Sequence, residues 1–393
     1  MITIPEIVGD ESLRRRLFPV TEHRVFLAHA GVTALPQAAS EALCWFAERG
    51  SQDQQEVPAV WMRIQQTRKA AAKLIGAHED EIALLGPTAL GLNLVADGLE
   101  WKAGDEMVCY RDDYPANVYP WTKLQDRGVT VRFVEPDEPG KITWELLQKV
   151  ITPATRLVAL ATAHFLSGYR IDVDDIGKKL HERGILFCLD GIQTLGAFPL
   201  SVEHVDFLSA DSHKWLLGPL GAGIFFVKKH HFERLRPSLL GSWNVQSPNF
   251  IAQDRIEFYE GGRRYEPGSL NLPGILGMQA AMELILELGV DAVAQRLKVL
   301  RRYLMPRMKE LNFGVYGAVD LSLAECSGIM TFCFPGEGDA KVLFAKLQAK
   351  KISVSLRHNR NGTALLRVSP HFYNTEAELD QLVETCAEWI RTR

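Results

Sequence analysis

The sequence predicts an α/β protein with a large domain on a mainly parallel seven-stranded sheet and a smaller C-terminal α+β domain. Two observations carry this expectation. Short β-rich runs alternate with longer amphipathic stretches through the middle of the chain. Several of those runs are apolar throughout instead of alternating, as strands covered by helices on both faces must be. At 393 residues the chain exceeds what one hydrophobic core usually organises, so more than one domain is expected.

Taken in order, the seven strands are expected at 81–86 (EIALLG), 106–110 (EMVCY), 129–134 (VTVRFV), 156–161 (RLVALA), 185–190 (ILFCLD), 205–209 (VDFLS) and 223–227 (GIFFV). Amphipathic segments at 89–99 and 173–183 read as connecting helices. After Pro273 the texture changes. Long helices are expected at 275–288 and 290–311, strands at 328–334 and 352–356, and a closing helix over 376–390. Thr375 followed by acidic residues is the N-cap signal of that last helix. These patterns place a large domain at 25–275 and a small one at 276–393, with residues 1–24 packing near the latter.

Composition excludes several classes. With 47% hydrophobic and 23% charged residues the chain is neither disordered nor a coiled coil. Lys and Arg number 44 against 48 Asp and Glu, so a net charge of −4 offers no attraction to nucleic acid or an anionic membrane. No apolar run approaches the ~18 residues that span a bilayer, and the start MITIPEIVGDESLRRRLFPV lacks a signal-peptide core. A cytoplasmic protein is expected. The six cysteines form no CxxC pair and have no histidine at metal-ligand spacing, so no structural metal or disulfide framework is expected.

Ligands of open α/β sheets gather at the carboxyl ends of the strands. The polar residues that follow the apolar runs are Thr88, Tyr114, His164, Asp190, His213 and Lys214. A lysine after a strand is commonly a solvated surface residue, and an aspartate there commonly caps a turn. Here Lys214 is followed by Trp215-Leu216-Leu217 and a glycine-rich stretch. Apolar surroundings lower a lysine's pKa and make it a nucleophile. Asp190 and Lys214, 24 positions apart on successive strands, supply what pyridoxal phosphate needs: an amine to attach to and a carboxylate for the ring nitrogen.

The run Asp190-Gly191-Ile192-Gln193, with Ala210-Asp211-Ser212-His213-Lys214-Trp215-Leu216-Leu217-Gly218-Pro219, resembles the cofactor segment of the class V aminotransferase and cysteine desulfurase family. These are fold type I enzymes that use pyridoxal 5'-phosphate. Further matches lie at Thr88-Ala89, at Glu266-Pro267-Gly268-Ser269-Leu270-Asn271, and at Leu366-Arg367-Val368-Ser369 through Tyr373-Asn374-Thr375. The resemblance implies that Lys214 holds the cofactor and moves protons, that Asp190 pairs with the ring nitrogen, and that Gln193 meets the ring hydroxyl. It implies that Thr88 and the Ala89 N–H hold the phosphate at a helix start, flanked by Asp211 and His213. Ser269 would reach the phosphate of a partner subunit, so a homodimer with shared sites is implied. Arg367 would clamp the substrate carboxylate; the bland alternative is a surface arginine paired with Glu376 or Glu378.

The sequence also departs from the family. Tyr114 stands at the ring-stacking position, often His in the desulfurases; His164 stands where Asn or Ser is common, and Asp211 where a small hydroxyl residue is. The segment Arg357-His358-Asn359-Arg360-Asn361-Gly362 has no cysteine where the desulfurases place their persulfide nucleophile. The implied activity is therefore that of a pyridoxal-phosphate enzyme on a small amino acid, foremost an aminotransferase with a keto-acid acceptor. The alternatives are a cysteine- or selenocysteine-type β-lyase and an epimerase. A catalytically silent binding module keeps the fold without the chemistry. A Rossmann-type nucleotide binder fits poorly, because no GxGxxG follows the first strand.

Overall fold

Seven strands form the central sheet of the computed structural model, which describes residues 2–334, 336 and 338–392. They are β1 (Ile82–Leu85), β2 (Glu106–Tyr110), β3 (Thr130–Val134), β4 (Thr155–Ala161), β5 (Leu186–Asp190), β6 (Phe207–Asp211) and β7 (Gly223–Val227). Their spatial order is β1-β7-β6-β5-β4-β2-β3. Only β7 runs against its neighbours; the other six are parallel to one another. The continuous apolar runs have the expected cause. Every residue of β2, β5, β6 and β7 is buried, whereas the edge strand β3 is buried at only two of its five positions.

Alternate side chains feed two cores. Val108, Phe187 and Phe226 pack with the helices Pro58–Ile75 and Leu272–Leu288, while Met107, Cys188 and Phe225 pack with the helix Thr88–Gly98. Most bounds differ from expectation by a residue or two, and three of the differences have a visible cause. Strand β6 begins two residues late because Asp206 is occupied outside it, accepting from the Phe187 N–H and contacting His231. It therefore carries Asp211 at its very end. The helix expected from residue 275 begins at Leu272, with Asn271 as its cap and Pro273 in the first turn, where a missing N–H costs nothing. The strand expected over 352–356 is two strands: Ile352–Ser353 pairs in parallel with Val25–Phe26, and Ser355–His358 joins a different sheet.

That second sheet is antiparallel. Ser355–His358, Ala364–Val368, Met330–Cys333 and Gly314–Val315 lie side by side in that order. The helix Glu376–Arg391 starts with a complete capping box between Thr375 and Glu378. Near the N-terminus, Arg14 donates 2.9 Å to the buried Glu378, and Phe18 stacks on Tyr373 at 4.0 Å. No helix among the described residues is long and apolar enough to cross a membrane.

Candidate active site

Six parallel strands aim their carboxyl ends at one rim, and the hairpin of Ser355–His358 and Ala364–Val368 covers it. Between them lies a cleft of about 390 Å³. Of the residues expected at the site, Thr88, Ala89, Tyr114, Asp190, Gln193, His213, Lys214 and Arg367 line it. His164, Asp211 and Ser269 do not.

Lys214 follows β6 by three residues and is 7% exposed; Asp190 ends β5 and is 2% exposed. Burial lowers the Lys214 amine to about 8, against the pull of Asp190 and with the push of Arg367 and Arg357. Burial also raises the Asp190 carboxyl, opposed by the Ile192 N–H at 3.0 Å and by Lys214. The Lys214 Nζ stands 5.2 Å from the centre of the Tyr114 ring, which is 47% exposed at the mouth. Just beyond Lys214 the backbone turns tightly. Leu217 adopts φ 58°, a left-handed conformation costly for a branched residue, and its N–H returns to the Lys214 carbonyl at 3.1 Å.

The helix Thr88–Gly98 opens on the cleft, with Pro87 fixing its entry. The Thr88 hydroxyl accepts the Asp211 N–H at 2.9 Å, which leaves its own proton to donate. Asp211 sits behind this layer. Its carboxylate accepts the backbone N–H of His213 at 3.2 Å and of Gly221 at 3.3 Å, and lies 2.9 Å from His213 Nδ1. That last contact is close in charge but too bent for a hydrogen bond, so Nδ1 is buried without a hydrogen-bond partner. Asp211 thus fastens the backbone at His213 and Gly221 instead of facing the cleft.

Gln193 is held at both ends: its Oε1 accepts from the Trp215 indole at 2.9 Å and its Nε2 donates to the Ala30 carbonyl at 3.3 Å. His164 is fully engaged in structure, with Nδ1 at 2.9 Å from the Ser167 hydroxyl and Nε2 at 3.1 Å from the Asp112 carbonyl. Burial lowers it to about 4, so the ring is neutral. Its neighbour Phe165 lines the cleft instead. Ser269 is exposed, on a separate hollow with Gln54 and Leu272. Glu266, three residues earlier, anchors that segment: it takes both prongs of Arg68 at 2.7 and 2.8 Å and the Leu84 N–H at 2.6 Å. Breaking such a buried pair typically costs about 3–5 kcal/mol.

Arg367 is 1% exposed, and the surface-pair alternative is excluded because Glu376 pairs with Arg296 and Glu378 with Arg14. Its Nη1 donates to the Phe165 carbonyl at 2.6 Å; Nε and Nη2 are buried with no partner. Burial, then the nearby Arg357, lowers this guanidinium to about 9. Buried N–H groups aimed into a cleft are a request for an anion. Sequence reasoning missed Arg357, Phe165 and the turn Ala30-Gly31-Val32, all of which line the cleft. It also missed Asp113, buried near Asp190, whose carboxyl is raised to about 7 by burial and then by Asp190. The alternation Ser355, Arg357 was a usable strand signal; the hairpin that turns it toward the rim was not visible.

The donor set fits pyridoxal phosphate. A buried amine and a buried carboxylate flank one space, a helix start with a free hydroxyl proton opens at one end, and an unsatisfied guanidinium closes the other. The family model Aminotransferase class-V matches residues 25–382. A probable cysteine desulfurase from Pyrococcus abyssi is 27% identical over 400 residues, covering 96% of this chain and 97% of its own. The apo structure of cysteine desulfurase from Thermococcus onnurineus NA1 superposes with a TM-score of 0.91 at 24% identity, covering 100% of both chains. The cystine C-S lyase C-DES, in complex with its reaction product cysteine persulfide, gives 0.85 at 21% identity over 94% of this chain and 99% of that one. At these identities the two structures establish the fold: a mainly parallel seven-stranded α/β sheet of the fold type I kind.

Proposed function

The chain belongs to the class-V aminotransferase family, and on that premise we propose that it moves the amino group of a small α-amino acid to a keto-acid acceptor. It is a pyridoxal-phosphate-dependent enzyme. The observation that carries the reading is the pair Lys214 and Asp190, both buried at the ends of adjacent strands in a cleft that also holds the unsatisfied Arg367.

When bound, pyridoxal phosphate supplies the electron sink for charge developing at the substrate Cα. Lys214 would hold it covalently and, once displaced by the substrate amine, its own amine, lowered to about 8, would be the base that takes the proton from the substrate Cα. Asp190 would pair with the ring nitrogen and supply the carboxylate that stabilises its proton. Thr88 through its hydroxyl and Ala89 through its helix-start N–H would hold the phosphate, with His213 beside them. Gln193, clamped by Trp215 and Ala30, would offer its remaining N–H to the ring hydroxyl. Arg367 binds the substrate carboxylate with Nε and Nη2.

A second reading, β-elimination from a cysteine-type substrate, is supported by the cysteine desulfurases and the C-S lyase among the relatives. A persulfide relay is not part of it: among the described residues no cysteine lines the cleft, and Cys386 is buried with its thiol raised to about 12. The proposal extends to a homodimer in which Ser269 completes the partner's phosphate site, and to a cytoplasmic setting suited to six free thiols. It also divides the chain into a large unit over 25–275 and a small one over 276–393, with residues 1–24 near the latter; Val25 and Leu27 pack with the C-terminal core.

The deciding experiment incubates the purified holoenzyme with a panel of amino acids, with and without added keto acid. Keto-acid release only with an acceptor supports transamination. Release of sulfide or ammonia without one replaces it by the second reading.

A further inference from the structure

The cleft contains a second guanidinium that the proposed chemistry does not use. In the covering hairpin Ser355 lies directly opposite Arg367, and Arg357 is two residues further along the same strand. Side chains two apart share a face, so Arg357 and Arg367 project from one side of the hairpin as diagonal neighbours, about 7–8 Å apart at the backbone. Gly31 locates that side. A Cβ built on it would meet both Arg357 Nη2 and Ser355 Oγ at 3.4 Å, so these groups face the turn that lines the cleft.

Among the described residues Arg357 is half-buried, and its side chain makes no hydrogen bond, ion pair or ring contact with the protein. Its neighbour in the hairpin, Arg360, is by contrast paired with Asp112 and with the Arg111 carbonyl, which straps the hairpin tip over the rim. The hairpin that carries Arg357 is therefore fixed, while its guanidinium has no counter-charge in contact. Two like charges on one small face repel, and Arg357 acts in that sense on both Arg367 and Lys214. A substrate with one carboxylate satisfies Arg367 and leaves Arg357 unpaired. A substrate with two satisfies both and relieves the repulsion between them.

We propose that Arg357 reads a second carboxylate, so that the amino acid taken by this cleft is dicarboxylic, of the aspartate or glutamate kind. This rests on the reading that the cleft holds an amino acid through Arg367.

The test is calorimetric titration of the holoenzyme with unreactive acids: succinate and maleate against propionate and acetate, with the cofactor absorption followed in parallel. The dicarboxylates should bind on the order of 10–100-fold tighter, the range of one charge-assisted, two-pronged contact. Arg357→Leu, which keeps the apolar stem, should erase that ratio. Arg357→Lys, which keeps the charge but not the fork, should retain part of it, and it carries the test alone if the leucine variant does not fold. Equal binding of the two acid classes by the wild type overturns the proposal. So does an Arg357→Leu variant that weakens both classes alike, since Arg357 would then share the first carboxylate. A yellow holoenzyme with no dicarboxylate preference removes this inference and leaves the proposed function standing. A protein that takes up no cofactor removes the function, while the same titration still measures the preference.

Discussion

Arg367 gives one of its guanidinium nitrogens to the Phe165 carbonyl at 2.6 Å and keeps the other two buried and unpaired. The carbonyl contact fixes the plane of the fork; the two remaining nitrogens set the direction from which an anion must approach. Leaving buried donors unpaired costs stability, and the cost is recovered only when a ligand arrives.

Arg367→Lys keeps the positive charge and loses the planar fork. The apparent affinity for the amino-acid substrate should fall about 10–100-fold, while the cofactor absorption stays as in the wild type. Steady-state kinetics alongside a visible spectrum checks both halves. Unchanged substrate affinity in a folded variant would remove Arg367 from the carboxylate site.

Lys214 should be the point of cofactor attachment. Borohydride treatment of the yellow protein should fix the pyridoxyl group on the peptide containing Lys214, as read by mass spectrometry. Because burial holds the amine at about 8, attachment of cofactor to the apoprotein should quicken as pH rises through that value, well below the ordinary lysine range. Label on another lysine would refute the assignment.

Asp190→Asn should retain cofactor and lose turnover. The phosphate contacts at Thr88 and Ala89 are untouched, but a neutral amide no longer stabilises the ring proton. Loss of such an electrostatic partner costs on the order of 10²–10³ in rate. A holo variant with wild-type kcat would show that another group supplies the charge.

Asp113 makes stability depend on pH. Its folded pKa is about 7, above the ordinary 3.8, because burial and the nearby Asp190 disfavour the anion. A raised acid binds its proton more tightly in the folded state. Its stabilisation is therefore complete below about pH 4 and is lost as pH rises through 7, by about 4 kcal/mol. Denaturant titrations between pH 5 and 8 should show this slope, and Asp113→Asn should flatten it. An identical slope in the variant would exclude Asp113 as its source.

Shared sites should be recoverable in hybrids. Mixing Lys214→Ala with Ser269→Ala chains should yield dimers with one undamaged site, in which cofactor phosphate is held more tightly than in either parent. A cofactor-loaded monomer in sedimentation would end the shared-site proposal.

The sequence alone determined the sheet and most of the rim. Strands buried on both faces are largely apolar, so β1, β5 and β6 show as short apolar-rich runs, and polar residues at or just after their ends mark the carboxyl rim where Thr88, Asp190 and Lys214 stand. What only the tertiary structure decided is how side chains distant along the chain share that space. The break at Val354, which sends Ile352–Ser353 to one sheet and Ser355–His358 to another, depends on partners more than 300 and about ten residues away, respectively. That break turns Arg357 toward Arg367, a pairing that no local pattern announces. The same limit applies to His164 and Asp211. His164 follows a strand and Asp211 ends one, and both have the right chemistry, but hydrogen bonds from the Ser167 amide to the one and from the His213 and Gly221 amides to the other hold them away from the cleft. Local periodicity reports which face of a strand is buried; it does not report which buried polar group already has a partner, and that decides which residues remain free to act.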